Sequence, residues 1–135
     1  MATATESALQ AKAVMPGFTV NDLPKSTRFY EGLGFVIEDR WEVDGALVGY
    51  MMRAGQARLG LDQDDWKKGR DRVKGIGMRI MIATDQDIDQ VAAHAKAAGI
   101  TLDEEPHETE WGGRAFSVTD PDGFKITLFK ETQAG

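Results

Sequence analysis

The chain has 135 residues, 41% of them hydrophobic and 28% charged, which suits one globular domain or two small modules sharing a core. With 16 Lys plus Arg against 22 Asp plus Glu the net charge is -6, so no basic face is expected for a nucleic acid. The absence of cysteine excludes disulfides and thiolate chemistry; residues 1–10 lack the basic start and apolar run of a signal peptide, and no apolar stretch approaches the roughly 18 residues of a membrane span, so the expected location is the cytoplasm and no membrane partner is expected.

Residues 1–12 are Ala/Thr/Ser-rich without periodicity and read as a flexible tail. Ala13 to Val20 alternates, with Val14, Pro16, Phe18 and Val20 on one face and Met15, Gly17 and Thr19 on the other. Pro16 has no amide to donate, which puts this strand at an edge or a bulge. Asn21 or Asp22 caps a helix with Pro24 in its first turn, Leu23, Phe29, Tyr30 and Leu33 as its apolar stripe, and Gly32 and Gly34 at its end. Phe35–Trp41, Leu47–Arg53 and Gln56–Asp62 read as strands joined by turns at Asp44-Gly45 and Ala54-Gly55. Nine of the thirteen residues from Asp62 to Lys74 are charged, and Trp66 stands among them, so 63–74 reads as a solvated linker. Gly75–Ile82 is again a strand. Thr84 or Asp85 caps a helix through Ala98, with Ile88, Val91, Ala92, Ala95 and Ala98 on one side and Gly99 closing it. Ile100–Glu104 is a short strand, and Glu105–Glu110 a polar loop.

The last stretch is the most informative. Arg114–Thr119 and Phe124–Phe129 both alternate, and Asp120-Pro121-Asp122-Gly123 between them has turn chemistry throughout. On the second of these strands Phe124, Ile126 and Leu128 share one face, and Lys125, Thr127 and Phe129 the other.

Each half thus reads β-α-β-β-β: module one over 13–62, module two over 75–130, with a C-terminal tail over 131–135. The fold class is α+β, two tandem βαβββ modules forming a curled eight-stranded half-barrel cleft with the helices on its convex side. Val14, Phe18, Val20, Ile80, Ile82, Ile126 and Leu128 face the helices, and the opposite face lines the cleft. The segments FTVNDLPKSTRFYEGLGF and WGGRAFSVTDPDGFKITLF resemble the two signature regions of the vicinal oxygen chelate superfamily, which includes glyoxalase I, extradiol dioxygenases and bleomycin resistance proteins. The resemblance spans about Ala13 to Lys130.

The resemblance implies a divalent metal held on the concave face by enzymes of the group. Carried over position by position, its ligands fall on Met15, Gly60, Gly77 and Thr127, none of which is a carboxylate or imidazole. His94 sits mid-helix, away from Ile88 and Val91, and reads as solvated. His107 lies in the loop before Trp111. No nucleophile motif, Walker loop or dinucleotide fingerprint is present.

No cofactor is therefore expected. What remains resembles the metal-free bleomycin resistance proteins, which sequester a bulky drug in clefts between two subunits; Trp111, Gly112, Arg114 and Phe116 match their W-G-x-R-x-F run. Trp41, Tyr50, Trp66 and Trp111 are candidates for flat aromatic surface, and Arg58, Asp62, Arg79 and Arg114 for placed charges. Competing roles are core packing for Trp41 and Tyr50, an Arg58–Asp62 or Arg79–Asp62 pair, and Arg114 pairing with Asp120 or Asp122. The expectation is a homodimeric small-molecule binding protein without catalytic residues. The alternative is a metal-dependent lyase, isomerase or dioxygenase using His107, Glu110 and Asp62.

Overall fold

A computed structural model describes residues 7–131, so residues 1–6 and 132–135 of the two expected tails lie outside the described residues. Residues 7–16 carry no helix or strand. The elements run β1 (Gly17–Val20), α1 (Leu23–Leu33), β2 (Val36–Val43), β3 (Ala46–Ala54), β4 (Ala57–Gln63), β5 (Arg79–Ala83), α2 (Ile88–Ala97), β6 (Leu102–Glu108), β7 (Gly113–Thr119) and β8 (Lys125–Glu131). They form two four-stranded sheets, ordered β1-β4-β3-β2 and β5-β8-β7-β6, each parallel at its first pair and antiparallel thereafter. Both halves are therefore βαβββ, and the α+β class with curled sheets stands.

Local chemistry places the boundaries. Pro16 has no N–H, so regular pairing of β1 starts at Gly17, although the Pro16 carbonyl still accepts from the Gly60 amide at 2.9 Å. Val14, expected among the buried residues, lies ahead of the strand and is 89% exposed. Asp22 caps α1 by accepting from the Lys25 amide, and Gly34 ends it at φ 113°, a left-handed conformation that costs glycine little. The cap of α2 is Asp87, not Thr84 or Asp85; the Thr84 hydroxyl instead accepts from the Gln86 amide in a tight turn. Gly75 and Gly77 both have positive φ and stand in the turn before β5, which begins only at Arg79. The expected loop at 105–110 is largely strand, since β6 continues to Glu108 along the sheet edge, and Glu131 belongs to β8 rather than to a tail.

One core serves both halves. Phe18, Val20, Tyr30, Met52, Leu59 and Leu61 from the first and Ile88, Phe116, Val118, Phe124, Ile126 and Leu128 from the second belong to a single buried cluster. Ile80 and Ile82 pack against it from β5. Phe18 stacks on Phe124 with ring centres 4.3 Å apart, and Gly32 lets α1 approach Ala98 and Ile100, which a Cβ there would meet at 3.0 Å. The buried Tyr30 hydroxyl donates to Asp120 Oδ2 at 2.7 Å, and Asp122 accepts from the Asn21 amide at 3.0 Å and from Ser26 Oγ at 3.3 Å. The Asp-Pro-Asp-Gly turn of the second half thus holds the helix of the first.

The charged linker is more structured than expected. Asp64 is buried and accepts from the Trp66 amide and from Arg72 and Lys74, both at 2.9 Å. Trp66, at φ 64°, carries Arg70 at 4.8 Å and Lys74 at 5.3 Å from its ring centre. Two cations flanking one indole beside one carboxylate fold 64–74 back on itself.

Candidate functional site

The concave face of the first sheet carries Trp41. Its indole lies against Gly49, where a Cβ would come within 2.6 Å of the ring, and over Gly60, where a Cβ would stand 3.8 Å away. Trp41 Nε1 donates to Asp62 Oδ1 at 3.0 Å, so one end of the ring is pinned by a hydrogen bond while two glycines make room beneath it. Asp62 is therefore occupied by Trp41 and not by an arginine. Arg58 instead pairs with Glu38 at 2.9 Å, and the same carboxylate takes Arg53 at 3.0 Å. A break in the β2–β3 register between Ile37 and Asp39 brings Glu38 to these two arginines. Sequence reasoning missed Glu38 because nothing local marks that bulge.

The concave face of the second sheet carries a row of polar side chains across all four strands. Arg79 NH1 donates to Thr127 Oγ1 at 2.7 Å, Thr127 and Ser117 hydroxyls are 3.2 Å apart, and Ser117 Oγ donates to Glu104 Oε1 at 3.2 Å. Thr127 and Ser117 are buried although they lie on this face. His107 stands on β6 opposite Ala115, not in a loop, with Nε2 3.8 Å from Glu104 Oε2. Trp111 is 54% exposed and meets Phe129 edge-on at 5.2 Å between ring centres.

The other expected site residues lie elsewhere. Tyr50 packs on the helix side, in a 400 Å³ pocket with Leu23, Thr27, Ile37 and Leu47. Trp66 is held in the linker. Arg114 shares its side of β7 with the core residues Phe116 and Val118, and reaches α2 by bidentate hydrogen bonds to Asp89 at 2.7 and 2.8 Å, with Glu108 at 3.3 Å. Its expected partners Asp120 and Asp122 are engaged by α1 and its flank. The Arg114 guanidinium holds the Asp89 carboxyl below the usual range, chiefly by hydrogen bonding. A larger groove of about 1180 Å³, lined by Leu33, Phe35, Ala54, Val91, His94 and Leu128 among others, opens between the halves on the helix side and touches neither concave row. The structure thus brings Trp41, Arg58 and Asp62 together on one concave face and Arg79 and Trp111 on the other.

The residues do not fit a divalent metal in one chain. Gly17 lies beside Gly60, and Met81 beside Thr127, at the strand positions where Met15 and Gly77 were expected. Gly60 lies under an indole, and the Thr127 hydroxyl is engaged with Arg79 and Ser117. Among the described residues no group of three or more His, Cys, Asp or Glu side chains is placed to hold an ion, so His107, Glu110 and Asp62 do not converge within the chain.

Residues 12–128 match the family model of the glyoxalase/bleomycin resistance protein/dioxygenase superfamily. The chain belongs to this superfamily. No curated protein matches the chain in sequence. Among solved structures it is similar to TnmS3, an antibiotic binding protein from Streptomyces sp. CB03234, with 25% identity and a TM-score of 0.69 over 94% of this chain and all 100% of that one. It is also similar in fold to TioX from Micromonospora sp. ML1, at 15% identity and a TM-score of 0.67 over 92% and 99% of the two chains. A glyoxalase/bleomycin resistance protein/dioxygenase from Alicyclobacillus acidocaldarius matches at 16% identity and a TM-score of 0.68 over 90% and 92%. Superfamily membership leaves the chemistry open, because the fold hosts several.

Proposed function

We propose that the protein is a metal-independent small-molecule binding protein of the bleomycin resistance type, which sequesters an antibiotic or another bulky ligand in a dimer cleft in the cytoplasm. The observation that carries this reading is Trp41. A flat ring fixed by Asp62 over two glycines is a preorganised surface for stacking, and it covers Gly60, where a metal-holding superfamily member would need a donor side chain. The likeness to TnmS3 supports the same class of ligand.

A second copy is part of this reading. The free edges of β1 and β5 each lie next to exposed apolar side chains: Met15 at 55%, Met78 at 46% and Met81 at 50%. Pairing the first sheet of one copy with the second sheet of its twin would set Trp41 opposite Trp111 and Phe129 and enclose a hollow that one chain leaves open. Edge-to-edge pairing also covers the unpaired backbone groups of both strands.

Two measurements test the reading. Protein purified without chelators is expected to carry no stoichiometric transition metal by elemental analysis. A thermal-shift panel of planar aromatic antibiotics and cationic glycopeptides is expected to yield a compound that raises the melting temperature selectively, since binding to the native state alone stabilises it by mass action. Stoichiometric metal whose removal abolishes a turnover would sink the proposal. Trp41→Ala is expected to weaken the compound found by about tenfold or more, the usual cost of removing a central aromatic anchor.

A further inference from the structure

The second concave face presents an arginine that the first does not. Arg53 and Arg58 share Glu38, whereas Arg79 has no carboxylate within ion-pair distance among the described residues. Its fixed neighbour is Thr127. A guanidinium can only donate, so Thr127 accepts from Arg79 and its own proton is left for Ser117, whose proton in turn goes to Glu104. These hydroxyls, buried at 8% and 4% exposure, run in one sense from a cation on β5 to an anion on β6. Glu104 stands at the far end of this row, two hydroxyls away from Arg79 and beyond ion-pair distance of it. Glu104 therefore orients the hydroxyls without closing a salt bridge on Arg79. Among the described residues the guanidinium spends one N–H on Thr127, which leaves donors of its planar fork for an anionic oxygen pair.

A ring surface lies next to it. Thr127 and Phe129 are two residues apart on β8 and face the same way, about 7 Å along the strand. Phe129 is flanked by Ala83 on β5 and Ala115 on β7, residues too small to cover it, and Trp111 stands edge-on at its side. We propose that this face selects an aromatic ligand bearing an anionic oxygen, a carboxylate or a phenolate, with Arg79 taking the oxygen and Phe129 and Trp111 the ring. The inference rests on the binding role proposed above and names the chemical class its ligand belongs to. It also departs from a preference for cationic drugs: on the first face Glu38 holds both Arg53 and Arg58, whereas Arg79 on the second has no carboxylate within ion-pair distance among the described residues.

The test compares anthraquinone-2-carboxylate with its neutral isostere anthraquinone-2-carboxamide by titration calorimetry at two salt concentrations. Wild type is expected to bind the acid at least tenfold more tightly than the amide, with the gap narrowing as salt rises. Arg79→Gln, at an exposed position that leaves folding intact, is expected to bring the two affinities together while the amide binds as before. Phe129→Ala is expected to weaken both equally, and Thr127→Val to reduce the discrimination without abolishing it. Equal affinity for acid and amide in wild type, or an acid preference that survives Arg79→Gln, overturns the inference and leaves the binding role standing. Failure of both compounds to bind overturns it too, and the binding role falls with it only if the wider antibiotic panel is also silent.

Discussion

Trp41 shows how a residue acquires meaning from what lies beneath it. The Gly49 Cα faces the indole and the Leu61 carbonyl, so a methyl group there would sit 2.6 Å from both. Because one of these obstacles is backbone, it cannot swing aside. Gly49→Ala is expected to destabilise the fold by about 1–3 kcal/mol, the usual cost of overpacking, and to displace the indole; urea unfolding with an unchanged m-value and a lower midpoint checks the first, near-ultraviolet circular dichroism the second. Asp62→Asn, which can still accept from the indole N–H, is expected to leave the midpoint within about 0.5 kcal/mol of wild type, as most partly exposed substitutions do. The aromatic residues of the site were visible in the sequence by type, but their roles were not. Trp41, Trp66 and Trp111 look alike in composition, and only the register and the turn geometry separate a pinned floor, a linker clasp and a hollow wall.

Among the elements, the linker makes the clearest demand on charge. Asp64 accepts from Lys74, Arg72 and the Trp66 amide, and these hydrogen bonds hold its carboxyl well below the ordinary range. A carboxyl whose folded pKa is depressed stabilises the fold above the unfolded value, near 4, and that stabilisation is lost as pH falls through the folded value. Asp64→Asn is therefore expected to be less stable than wild type at pH 7, with the difference closing below about pH 4; thermal melts from pH 7 to pH 2 check it. Asp120 runs the other way: burial raises its pKa, so its ionisation opposes folding at neutral pH and that cost fades on acidification. Asp89, held down by Arg114, adds to the acid lability that Asp64→Asn leaves behind. The strands and helices with an alternating or helical pattern were legible in the sequence, as were the cap and stop of α1. The end of β6 was not, because Asp103-Glu104-Glu105-Pro106-His107-Glu108 forms an edge strand that is mostly solvated and shows no alternation. The cap of α2 was misplaced because Thr84, Asp85 and Asp87 all carry capping side chains.

At the scale of the whole molecule, the duplicated topology was legible because two weak signals agreed at every step, whereas whether halves pair across copies depends on surfaces no local pattern marks. If a twin closes the hollow, the melting temperature rises with protein concentration and sedimentation gives the mass of two chains; a single-chain mass at all concentrations tested would count against the dimer cleft. The contacts of Asp120 and Asp122 with α1 carry a further consequence for synthesis. The helix completed within the first 33 residues has its tyrosine hydroxyl and its N-terminal flank secured by side chains that emerge about 90 to 100 residues later. A nascent chain must therefore extend past Asp122 before α1 can be locked, and a fragment ending at Gln63 should remain unfolded by circular dichroism. Stalling translation before Asp120 would leave Phe18, on a half-made protein, without the ring of Phe124 that stacks on it in the finished fold.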